Sequence, residues 1–137
     1  MLRWLVYGAL SALVVTGAWW AVVHYFPAAA GMDELRAART SSLLMKVHGA
    51  VAMAALILLG MLICQHVPAG WKTTYNRTSG VLALAVLSLL VLTGYLLYYA
   101  GDEVYRSFAS YAHLGVGLAL ALVVIAHLWK NEKKPAA

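Results

Sequence analysis

The fold this sequence predicts is all-α, a four-helix transmembrane bundle of up-down-up-down topology, and three observations predict it. Hydrophobic residues make up 64% of the 137 residues and charged residues only 11%, with a mean hydropathy of +0.79, a balance foreign to soluble domains. The apolar residues gather into four long runs, about 4–26, 42–67, 80–100 and 108–129, each near or above the ~20 residues a helix needs to cross about 30 Å of hydrocarbon. The connectors between runs are short and polar, so consecutive spans run antiparallel. The whole chain, 1–137, reads as a single integral membrane domain.

The first run, from Trp4 to Phe26, ends at Pro27 and Gly31. Although "PAAAG" follows it, its apolar part is longer than that of a secretory leader and only Arg3 precedes it, so it reads as a retained span. The second, from Ser42 to Val67, is closed by Pro68 and Gly70, and the third, from Gly80 to Ala100, by Gly101 and Asp102. The fourth runs from Phe108 to Trp129. Tryptophans and tyrosines near the run ends, among them Trp4, Trp20, Trp71, Tyr99 and Trp129, suit membrane interfaces.

Charge orients the chain. The side holding the N-terminus, second connector and C-terminal tail carries Arg3, Lys72, Arg77, Lys130, Lys133 and Lys134. The other carries Arg36, Arg39, Lys46 and Arg106, offset by Asp33, Glu34, Asp102 and Glu103. The positive-inside bias puts both termini in the cytoplasm of a multi-pass protein. The net charge of +5 is spread over run ends and faces lipid headgroups, not nucleic acid. The single cysteine, Cys64, excludes an internal disulfide and the C-x-x-C-H attachment of c-type haem.

The chemistry lies in the histidines. His48 and His66 stand towards the two ends of the second run, and His113 and His127 towards the two ends of the fourth. Steps of four and three link 48, 52, 55, 59, 62 and 66, and likewise 113, 117, 120, 124 and 127, so each helix carries both imidazoles on one stripe. The two spans run the same way through the membrane. His48 then shares the outer level with His113 and His66 the inner level with His127, separated by roughly 27 Å on one helix and 21 Å on the other. Facing imidazoles at two depths suit two b-type haems, each clamped by an axial ligand on either face. Gly117 and Ala52, one turn from a histidine, leave room for the macrocycle. Lys46 and Arg106 outside, and Arg77 and Lys72 inside, are placed for the propionates. The second ring nitrogens need acceptors, for which the carbonyls of Leu44, Leu62, Ala109 and Val123 are candidates.

A faint internal repeat accompanies this pattern. "VVTGAWW" in the first run and "VLTGYLL" in the third each hold a Thr-Gly, and each is followed by a helix with two histidines on one face. The chain thus reads as two parallel helix pairs. His24 has no counterpart in the second pair and is expected at an outer quinol site or simply at the interface.

The segments "KVHGAVAM", "RTSG", "LTGYLLYYAGDE" and "HLGVGLALALVVIAH" resemble those of the small bacterial four-helix di-haem cytochrome b proteins, cytochrome b561-like in kind. The resemblance covers nearly all of the chain beyond the first helix. It implies electron transport in the bacterial inner membrane between a quinone pool or inner donor and a periplasmic redox partner such as a c-type cytochrome, as part of a respiratory chain. The eighteen-residue spacing of His48 and His66 departs from the fourteen usual in such proteins. Three other functions compete: a quinol-oxidising or quinol-reducing subunit of a larger redox complex, a haem-free carrier of protons or metal ions through histidines, and a bare anchor for a partner. Nucleophilic catalysis has no support, because no carboxylate lies inside an apolar run, and no glycine-rich phosphate loop is present.

Overall fold

The computed structural model describes the backbone of residues 2–72 and 77–132, with the side chains of these residues other than 3, 65–67, 69–72, 79 and 123–132. Four helices make up the described chain: α1 (Leu2–Tyr25), α2 (Glu34–Lys72), α3 (Arg77–Tyr99) and α4 (Glu103–Glu132). No strand occurs among the described residues. Among the described residues, three helices hold segments long and apolar enough to cross a membrane, Trp4–Tyr25, Glu34–Cys64 and Gly80–Tyr99. The last part of the expected fourth span, residues 123–129, has side chains outside the described residues.

The helices pack as two hairpins, α1 on α2 and α3 on α4, falling in two compact units, Met1–Thr73 and Thr74–Ala137. Few side chains are buried in either. Val23 and Ala37 are buried in the first and Ala109, Leu120 and Thr93 in the second, whereas Leu, Ile, Val and aromatic side chains stand exposed along the helices. Exposure of this kind suits helices whose solvent is lipid, where apolar side chains gain nothing from hiding and contacts are made by small residues.

Every helix begins ahead of its apolar run, α2 and α4 by the widest margins. Asp33 accepts from the Arg36 N–H at 2.8 Å, and Glu34 lies in the first turn, so capping and a favourable dipole interaction start α2 eight residues ahead of Ser42. Asp102 does the same for α4, accepting from the N–H groups of Val104 and Tyr105 at 2.8 and 3.1 Å. Hydropathy registers the membrane-embedded length, while capping decides where the helix starts. The first connector turns through Pro27–Gly31, with Met32 N–H bonded to the Pro27 carbonyl at 3.0 Å and Gly31 at φ 66°, a conformation glycine adopts without strain.

Pro68 departs from expectation. It does not close the second helix but lies inside α2, which continues to Lys72. The ring removes the one bond that its N–H would make to the Cys64 carbonyl, a local loss that an established membrane helix tolerates.

Candidate functional site

In the first hairpin, His48 of α2 meets Thr16 of α1, with Nδ1 2.9 Å from Thr16 Oγ1. The hydroxyl also lies 2.7 Å from the Ala12 carbonyl and 3.2 Å from that of Leu13. Leu13 contributes a backbone hydrogen bond to the same imidazole. In the second hairpin, His113 of α4 meets Thr93 of α3, again with 2.9 Å between Nδ1 and Oγ1, and Thr93 lies 2.9 and 3.2 Å from the Leu89 and Leu90 carbonyls.

A hydroxyl has one proton, and carbonyls only accept. A helical threonine habitually gives that proton back to the preceding turn of its own helix, and both hydroxyls lie within reach of such carbonyls. With the proton so placed, Oγ1 accepts from Nδ1–H, and in that tautomer the ring lone pair stands on Nε2.

The glycine after Thr16 makes the close approach possible, and the one after Thr93 stands at the near limit of ordinary contact. A Cβ on Gly17 would stand 3.2 Å from His48 Cε1, and one on Gly94 would stand 3.4 Å from His113 Cε1. In both hairpins the ring lies close against the backbone of the neighbouring helix, with the threonine holding its edge. Among the residues singled out from the sequence, Gly117 lies one turn beyond His113 and faces α3, since a Cβ there would meet Leu90 Cδ2 at an ordinary 3.8 Å. Lys46, Arg77 and Arg106 are exposed. The helix backbone passes through His66, Lys72 and His127, but their side chains lie outside the described residues.

His24 is exposed near the end of α1. Its ring stacks on Trp20 at 4.6 Å and 12° and meets Tyr25 edge-on at 4.8 Å. A hollow of about 270 Å³ beside it is lined by Val23, His24, Pro27, Glu34, Ala37, Ala38 and Ser41. An imidazole from α1 and a carboxylate and hydroxyl from α2 thus border one recess of mixed polar and apolar lining. Among the described residues, no three of His, Cys, Asp and Glu come together as a metal-ion site. Two imidazoles suffice for a haem iron, so this geometry bears on free metal ions alone.

Thr16, Gly17, Thr93 and Gly94 were absent from the residues expected at the site. The signal for them was the repeated Thr-Gly, whose meaning depends on which residues stand across the hairpin. Compared with family models, curated proteins and solved structures, the chain matches none.

Proposed function

We propose that the protein is a di-haem b-type cytochrome of the bacterial inner membrane, folded as a four-helix bundle with both termini cytoplasmic. It carries electrons between a quinone pool or inner donor and a periplasmic redox partner, for which a c-type cytochrome is suited. The observation that carries this reading is the recurrence in both hairpins of an imidazole whose Nδ1 proton is engaged by a threonine. That leaves the lone pair on Nε2, the form a metal-ligating histidine takes when a neighbour holds its other nitrogen. The donor set fits haem iron, which takes neutral imidazole. When bound, the haem supplies one-electron exchange between ferric and ferrous iron.

The chain's own residues orient and shield. Thr16 and Thr93 hold the rings, Gly17 and Gly94 admit them, and the apolar helices exclude water. The pairing expected from the sequence is His48 with His113 and His66 with His127, with Lys46, Arg77 and Arg106 beside propionates. A pyridine haemochrome assay on the purified chain tests the reading. About two haems per chain supports it, and a colourless protein overturns it in favour of a haem-free carrier. Replacing His113 and His127 separately by alanine should remove different haems.

A second reading, a quinol oxidoreductase subunit, is favoured by the recess that His24 shares with Glu34. Hydroquinone oxidation releases two protons with its two electrons, and an imidazole and a carboxylate lining one hollow are groups that can accept them. Quinol-dependent haem reduction that disappears in His24→Ala would support this. Reduction at the parental rate would exclude it.

A further inference from the structure

We propose that Thr16 and Thr93 are positioning residues that set the electron donation and ring orientation of the histidines they hold, and so tune the bound iron. The proposal rests on the haem reading above. Each threonine lies in the helix before its histidine and touches Nδ1, two bonds from the nitrogen that would meet iron.

A partner accepting from Nδ1–H makes the ligating nitrogen a better donor, and stronger donation favours ferric over ferrous iron. The partner chosen here is a neutral hydroxyl rather than a carboxylate. It adds no buried charge to a membrane helix, and its proton is committed to the carbonyl of Ala12 or Leu89 at 2.7 or 2.9 Å. Its pull on the imidazole is therefore steady and moderate. Thr93 is itself buried, so its hydroxyl keeps this arrangement away from competing water.

The following glycine adds a second constraint. With Cε1 of each ring only 3.2 or 3.4 Å from where a Cβ would stand on Gly17 or Gly94, the imidazole is fixed at its edge by the hydroxyl and beside it by the helix backbone. Rotation about its Cβ–Cγ bond breaks one contact or the other. The mutual angle of two axial imidazole planes shapes the paramagnetic resonance spectrum of low-spin ferric haem. Ring orientation at this site is thus open to direct measurement.

The experiment uses the full chain in detergent or lipid nanodiscs, with Thr16→Val, Thr93→Val and the corresponding serine variants. Haem content, midpoint potential and the low-spin ferric resonance are read for each. The valine variants, close in volume to threonine, should raise the midpoint potential of the haem they touch and shift its resonance. They should also weaken haem retention about ten- to a hundredfold. Serine at either position should restore the parental values. Valine variants with parental potential and resonance would overturn the proposal while leaving the di-haem reading intact. A colourless parental chain would overturn both. Should one valine variant fail to fold, the other, in a separate hairpin, gives the same readout.

Discussion

His113 Nδ1 lies 2.9 Å from Thr93 Oγ1, and His48 Nδ1 lies the same 2.9 Å from Thr16 Oγ1, although twenty residues separate the first pair and thirty-two the second. The difference is taken up away from the contact. The α1–α2 connector spans 26–33 and the α3–α4 connector only 100–102, and the first hairpin also has more helix between the contact and its connector on both sides. Two hairpins of different length therefore hold an imidazole in the same way.

Gly17→Ala and Gly94→Ala should separate fold from site. Alanine raises intrinsic helix stability by up to about 1 kcal/mol over glycine, so helicity and unfolding temperature should hold or rise. The new methyl meets the ring at 3.2 Å in one case and 3.4 Å in the other. On the di-haem reading proposed above, haem binding and the visible spectrum should deteriorate for Gly17→Ala and change little for Gly94→Ala, as haem titration of the purified variants would show.

Asp102→Ala and Asp33→Ala should do the opposite. Each removes an oxygen that accepts backbone N–H groups at a helix start, costing about 1 kcal/mol. Thermal unfolding followed by circular dichroism should shift downward, while on the proposed di-haem reading the visible spectrum stays parental. An altered spectrum would mean that the caps also position the histidines.

Pro68→Ala should stabilise. Proline in a helix interior is less favourable than alanine by about 3 kcal/mol, and Pro68 is exposed inside α2. An increase in unfolding temperature of the detergent-solubilised chain is the expected result, with the gain reduced where lipid or neighbouring polar groups already satisfy the Cys64 carbonyl.

Reporters fused to the C-terminus should test orientation. A fluorescent protein that matures only in the cytoplasm should light up, and an alkaline phosphatase active only outside should stay silent, because lysines and arginines favour the terminal side. The reverse pattern would invert the proposed direction of the protein in the membrane.

Much of the fold was legible in the amino-acid order. Long apolar runs announce membrane helices because an unsatisfied backbone is intolerable in hydrocarbon, and Pro27 with Gly31 marked the first turn correctly. Helix starts were less legible, since Asp33 and Asp102 act through backbone geometry that a hydropathy profile does not register. Pro68 misled for a related reason: it weakens a helix locally without having to end it. At the site, spacing alone singled out His48 and His113. Their threonine partners stand thirty-two and twenty residues away respectively, beyond the reach of any helical periodicity.

By itself, then, the sequence determined the helical class, the presence of helices long and apolar enough to cross a membrane and the paired histidines at helical spacing. These follow from local periodicity and from solvent preference, which depend on near neighbours in the chain. Only the tertiary structure decided that Thr16 and Gly17 meet His48 and that Thr93 and Gly94 meet His113. Those facts depend on how two antiparallel helices align, and that alignment is set by side-chain packing along the whole hairpin.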